Sequence, residues 1–255
     1  MIINHKYKFI FFKTRKTGGT SMEVALSKFC QNGDTITSDF TVNQLDNFKN
    51  NNIGESHMTA TQLSNYRFNL LLEDNNFFDS YFKFTIIREP VDLFISHFFW
   101  LRNKKNERYP TKSYLKDNIS SVTETNLSLP ANIDDWVKML KENTHIVKDI
   151  CSLNFDTYSL HGQPYVDDFI TYSKYSGPGS KMYEDCSRIS KKLNLPENIA
   201  DLFFNNRYNT KSRPKGRVLL SQESLDFIEK VSINERNFSG IKLATEKFGG
   251  RLVLI

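Results

Sequence analysis

The residues best equipped for chemistry sit in one turn: Lys16, Thr17, Gly18, Gly19, Thr20 and Ser21, within KFIFFKTRKTGGTSMEVALSKF from Lys8 to Phe29. A lysine, a glycine pair and a run of hydroxyls are the components of a phosphate cradle. Glycine reaches backbone angles closed to other residues and sets no Cβ between chain and ligand, so an anion could touch the backbone at Gly18 and Gly19. Thr20 or Ser21 can cap the next helix. The N–H groups and positive dipole end of that helix favour an anion, and Lys16 adds a full charge beside it. The ordinary nucleotide-triphosphate loop carries its lysine after the second glycine; here the lysine comes first. The alternative is a strand-to-helix turn that holds no ligand.

Such a turn needs a strand to deliver it and a helix to receive it. Phe9 to Phe12 form the short continuous apolar run of a doubly covered parallel strand, and an amphipathic helix is expected over Ser21 to Phe29. A second strand-to-helix unit lies in YFKFTIIREPVDLFISHFFW, Tyr81 to Trp100. Its strand ends at Ile87, and Pro90 opens the helix, which should run to Asn103. Val91, Phe94, Ile95 and Phe98 share one helical face and are expected to pack on the sheet, while Asp92, Ser96, Phe99 and Asn103 line another. Arg88 stands at the carboxyl end of a strand, where open α/β sheets bind ligands, and its guanidinium fork matches phosphate oxygens. The other reading of Arg88 is an ion pair with a carboxylate such as Glu89.

With both units in view, the chain resembles the sulfotransferases that use 3′-phosphoadenosine 5′-phosphosulfate (PAPS). KTGGTS is similar to their 5′-phosphosulfate loop. REPVDLFIS, Arg88 to Ser96, is similar to their 3′-phosphate motif, in which the arginine and the serine hold the ribose phosphate. ESHMTATQL, Glu55 to Leu63, resembles a segment of the carbohydrate sulfotransferase branch. More weakly, GQPYVDDFITYSK (Gly162 to Lys174) is similar to a later strand of the family, and NTKSR (Asn209 to Arg213) to the C-terminal segment that closes over the nucleotide. Arg15 stands where many relatives have proline, Leu93 replaces a frequent arginine, and Tyr172 and Lys174 stand where arginine and glutamate are often found.

The resemblance implies a three-layer α/β fold with a central, mainly parallel sheet and a P-loop-like phosphosulfate-binding loop. It implies transfer of a sulfuryl group from PAPS to an acceptor hydroxyl or amine, on a carbohydrate, with adenosine 3′,5′-bisphosphate (PAP) as product. Lys16 would neutralise the leaving oxygen, the amides from Thr17 to Ser21 would hold the 5′-phosphate, and Arg88 and Ser96 the 3′-phosphate. His57 would take the acceptor's proton, since an imidazole ordinarily titrates near neutrality, with Glu55 as the alternative base. Lys211 and Arg213 form either a clamp over the nucleotide or an exposed turn. This logic requires no metal, and no carboxylate or histidine cluster has ligand spacing.

The chain of 255 residues is 39% hydrophobic and 13% aromatic, enough to bury a full core, and one α/β domain over 1–255 is expected. The polar segment 104–131 is long enough for a lid or an acceptor-binding insertion. Basic residues crowd Arg102 to Lys116, but the net charge is a modest +5, and no reading-helix or zinc-finger pattern accompanies it, so nucleic acid is not an expected partner. No stretch is apolar enough to span a bilayer, the first strand is expected too close to Met1 to leave room for a signal peptide, and Cys30, Cys151 and Cys186 are odd in number and widely spaced. A cytoplasmic protein with reduced thiols is expected.

Further strands are expected near Ile53 and over Val166 to Thr171. Helices are expected from about Thr59, over Asp134 to Lys141, Met182 to Leu193 and Ser221 to Ile233, and over Asn234 to Phe248 with a break near Gly240. Two rival classes remain at this point, a nucleotide-dependent kinase with an atypical P-loop and a non-catalytic binder of nucleotides or polyanions. The acceptor's identity and the oligomeric state are not written in the sequence.

Overall fold

Phe9, Ile10, Phe11 and Phe12 are each 0% exposed, as a strand covered on both faces must be. They form the second strand of a computed structural model that describes residues 1–37, 57–69, 77–103, 130–142, 154–173, 177–205, 218–243, 246–248 and 251–254. In chain order the elements are β1 (Ile2–Asn4), β2 (Phe9–Phe12), α1 (Gly19–Ser27), β3 (Thr35–Ile36), α2 (Ala60–Asn69), β4 (Phe82–Ile87) and α3 (Pro90–Asn103). Next come α4 (Ile133–Glu142), α5 (Asn154–Tyr158), β5 (Ser159–Leu160), β6 (Gln163–Pro164), β7 (Asp168–Thr171), α6 (Lys181–Lys192) and α7 (Ile199–Asn205). The last are β8 (Val218–Leu220), α8 (Gln222–Val231), α9 (Ile233–Ser239), β9 (Glu246–Phe248) and β10 (Arg251–Leu254). The chain divides into two compact units, Met1–Arg88 with Asn154–Thr210, and Glu89–Leu153 with Lys211–Ile255.

The first unit is built on a five-stranded sheet in the order β3-β1-β2-β4-β7. β2 pairs in parallel with β4, and β4 with β7, whereas β1 is antiparallel to both β2 and β3. β3 therefore runs with β2, β4 and β7, and β1 alone runs against them. One face, carrying Phe9, Phe11, Phe84, Ile86 and Ile170, packs with Met22, Ala25 and Leu26 of α1, Met182, Cys186 and Ile189 of α6, and Ile199 and Phe203 of α7. Each large side chain removed from water there stabilises the unit by about 1.5–3 kcal/mol. The parallel register aligns Phe12 with Thr85 and Ile87 with Thr171, so the three parallel strands end close together. The residues just beyond those strand ends make up the site.

The second unit has its own core. Val91, Phe94, Ile95 and Phe98 of α3 meet Ile133, Trp136, Val137 and Leu140 of α4 and Leu225, Phe227 and Ile228 of α8. The expected apolar face of α3 is therefore buried, within a cluster that also takes in Leu220 of β8. A three-stranded antiparallel sheet, β8-β10-β9, completes this unit. The break expected near Gly240 is present: the helix ends at Ser239, because Gly240 adopts a left-handed φ of 68° and its N–H closes the last turn on the Arg236 carbonyl, but the helix expected beyond it to Phe248 is not formed over Glu246–Phe248. Glu246–Phe248 is strand, paired Phe248 to Arg251 around the sequence Gly249-Gly250, a two-residue hairpin signal. The strand expected near Ile53 lies outside the described residues, as does nearly all of segment 104–131.

Candidate functional site

Lys13 to Gly18 connect β2 to α1. Lys13 is 5% exposed, and its ammonium pairs with Glu23 of α1, Nζ to Oε2 2.5 Å. Glu23 also accepts from the Met1 amino group at 3.1 Å. A Cβ on Gly19 would lie 2.8 Å from Lys13 Cγ and 3.2 Å from the Thr14 carbonyl oxygen. The expectation that Gly19 makes room for a ligand is thus corrected: the protein's own lysine fills the space where a side chain would start. Gly18 is the N-cap of α1 in a left-handed conformation, φ 77°, with no side-chain cap hydrogen bond. The helix therefore starts at Gly19, and Thr20 and Ser21 lie within its first turn instead of capping it. No acidic residue occupies that turn, and the positive end of the helix dipole keeps the character that favours an anion.

Lys16 is also left-handed, φ 60°. For a residue with a side chain that conformation costs roughly 1–2 kcal/mol, so the surroundings must hold it. Thr14 Oγ1 donates to the Ile86 carbonyl at 2.6 Å. With its proton committed there, it accepts from Thr17 Oγ1 at 2.9 Å. Thr17 is 0% exposed and its hydroxyl is bound inside the turn, so what it can offer a ligand is backbone. Arg88, 3% exposed at the end of β4, donates from Nη1 to the Lys16 carbonyl. Its guanidinium lies 4.2 Å from the centre of the Tyr172 ring, a cation–π distance, and Tyr172 N donates to the Ile87 carbonyl at 2.7 Å. The carboxyl ends of β2, β4 and β7 thus contribute the turn, Arg88 and Tyr172 to one place, where α/β sheets bind ligands.

Two further side chains reach the turn. Asn154, 0% exposed, accepts from Arg15 N at 2.8 Å and donates from Nδ2 to the Arg15 carbonyl at 3.0 Å. His57 lies with Nδ1 2.9 Å from the Lys13 carbonyl. A carbonyl only accepts, so Nδ1 carries the proton and Nε2 keeps its lone pair. Burial, with the charges of Lys13, Arg15 and the amino terminus, pulls His57 down to about 3 against the raising effect of that hydrogen bond. The expectation of a histidine titrating near neutrality is corrected accordingly: His57 is neutral throughout the ordinary pH range.

The second motif is divided. Arg88 ends a segment of the first unit, while Ser96 belongs to α3 of the second, half-buried like Asp92 and Phe99. Glu89, the carboxylate weighed as an ion-pair partner for Arg88, accepts from Val91 N at 3.1 Å and Asp92 N at 2.6 Å, capping α3. Glu55, Lys211, Arg213 and Lys174 lie outside the described residues. Sequence reasoning missed Asn154, for which no local pattern exists, and gave Tyr172 no role although its place directly after a strand was a usable signal. Cys30 lies beyond the end of α1, and burial pushes its thiol up to about 12, the behaviour of a packing residue. Among the described residues no group of three His, Cys, Asp or Glu side chains is placed to hold a metal ion, and no helix is long and apolar enough to cross a membrane.

These residues have the chemistry to attract an anion, since the turn combines a basic side chain with a helix start that has no side-chain cap at Gly18 and a first turn free of acids. Fold and turn define the class, a mixed α/β protein with a P-loop-like turn at the carboxyl edge of a mostly parallel sheet. A family model described as the sulfotransferase family matches residues 1–238, and the chain belongs to that family. No curated protein and no solved structure matches it.

Proposed function

We propose that the chain is a PAPS-dependent sulfotransferase acting on a hydroxyl or amine of a saccharide. The observation that carries this reading is the turn itself: a left-handed lysine and a left-handed glycine delivering a helix start with neither side-chain cap nor acid. PAPS supplies an activated sulfuryl group, whose bond to the bridging phosphate oxygen breaks as a new bond to the acceptor forms. In this reading Lys16 neutralises the charge that develops on the bridging oxygen, and the first N–H groups of α1 hold the 5′-phosphate. Arg88 and Ser96 serve the 3′-phosphate, and Lys211 and Arg213 close over the nucleotide.

His57 offers Nε2 to the acceptor's proton, with Glu55 as the alternative. Lys13 and Arg15 are among the charges that depress His57, so an anion bound at the turn would offset them and strengthen the base. The free thiols of Cys30 and Cys186 support a cytoplasmic setting. The test is transfer of radiolabelled sulfuryl from PAPS to a panel of glycans, lipids and small alcohols. Label is expected on a saccharide. Binding of PAP without transfer to any acceptor would replace this reading with a non-catalytic nucleotide binder.

A further inference from the structure

We propose that Asn154 is a positioning residue of the donor site: its carboxamide grips both backbone groups of Arg15 and thereby holds the next residue, Lys16, in its left-handed conformation. The inference rests on the reading of the turn as a PAPS site. Oδ1 accepts from Arg15 N at 2.8 Å and Nδ2 donates to the Arg15 carbonyl at 3.0 Å, and only one orientation of the amide satisfies both. The pair is a single rung of strand-like bonding made by a side chain, 139 residues away in sequence.

Arg15 creates the need for that rung. Arg15 brings a backbone N–H and a carbonyl into the turn, and both must find partners when turned inward. Asn154 is 0% exposed, so both of its bonds form away from competing water. Lys16 is then held from two sides. Arg88 Nη1 donates to the Lys16 carbonyl, and Asn154 fixes the residue before it. A non-glycine residue at φ 60° keeps that angle only where its neighbours enforce it. Lys16 and the N–H groups after it are thereby aimed before any donor arrives, and such preorganisation lowers the cost of binding.

The test uses the full-length chain, PAP as probe, and the variants Asn154→Ala and Asn154→Asp. Asn154→Ala should weaken PAP binding by roughly tenfold or more and raise the KM for donor while leaving the KM for acceptor unchanged, the signature of a displaced donor loop. Asn154→Asp keeps the acceptor for Arg15 N but lacks the donor for the Arg15 carbonyl while ionised. Its PAP affinity at pH 8 should therefore also fall below the parent's, and this comparison stands even if Asn154→Ala does not fold. Parental PAP affinity in folded Asn154→Ala, or in Asn154→Asp at pH 8, would overturn the proposal while leaving the donor reading intact. Failure of the parent itself to bind PAP would overturn both.

Discussion

The two strand-to-helix turns of this chain use the same ingredients to opposite ends. After β2, α1 starts at a glycine with no side-chain cap and no acid in its first turn. After β4, α3 starts with the Glu89 carboxylate on the N–H groups of Val91 and Asp92, and Asp92 adds a second acid to that turn. Both turns carry basic residues. The two starts thus differ in what the adjoining side chain supplies, a carboxylate on the first N–H groups of α3 and no capping side chain at Gly18 of α1, although both lie beside basic residues. Arg88 sharpens the contrast, because it sits at the second turn but donates to the carbonyl of Lys16 in the first.

The strongest way to probe the first turn is to remove the chemistry gathered around it. His57→Ala is expected to lower turnover by on the order of 10²–10⁴ while PAP affinity stays near parental; turnover close to parental in a folded variant would remove His57 from the mechanism. With His57 depressed to about 3 in the free protein, the pH profile of kcat/KM should show no histidine step near 6.5, and such a step would mean that the ring titrates normally. Thr20→Glu would make the first turn resemble the second by adding an acid to the start of α1. The helix dipole favours that charge, so stability should hold or rise by about 0.3–1 kcal/mol, while calorimetry should show PAP affinity reduced by roughly tenfold or more. Unchanged affinity would mean that the start of α1 does not hold the phosphate.

Smaller effects test the scaffold. Gly19→Ala should lower stability by about 1–3 kcal/mol in denaturant titrations, because its Cβ meets the Lys13 stem and the Thr14 carbonyl and a packed site resists overfilling. The pH dependence of stability derives in part from His57. Its folded value, about 3, lies below the ordinary 6.5, so the unfolded chain takes up a proton that the folded chain refuses. Stability should therefore fall as pH drops from about 6.5 toward 3, with no further histidine contribution below that. His57→Gln should flatten this part of the curve; an unchanged slope would assign the acid sensitivity to other groups.

Much of this was legible in the sequence wherever local pattern governs. β4 and α3 have the boundaries expected of them, since the β-prone FKFTII segment and Pro90 mark strand and helix independently of context. The Lys16 to Ser21 turn was equally visible, but the reason for one of its glycines was not. The space at Gly19 is filled by Lys13, whose path is set by Glu23 on α1, a tertiary fact. Nor does any pattern around Arg15 point to a partner 139 residues away. The imidazole of His57 looks suited to neutral pH until burial and neighbouring cations are known. At the C-terminus the Gly249-Gly250 hairpin signal outweighs the expectation of helix, and β9 becomes strand through pairing with β10.

In the proposed reading, Lys16 and the start of α1 hold the 5′-phosphate of the donor and Arg88 its 3′-phosphate. Calorimetric titration of the parent chain with PAP and, separately, with adenosine 5′-monophosphate tests it most directly. Loss of a charge-assisted contact to the 3′-phosphate costs about 1.5–3 kcal/mol, so saturable PAP binding roughly 10- to 150-fold tighter than that of the monophosphate is the expected result. Equal affinities, or no binding of either nucleotide, would contradict it.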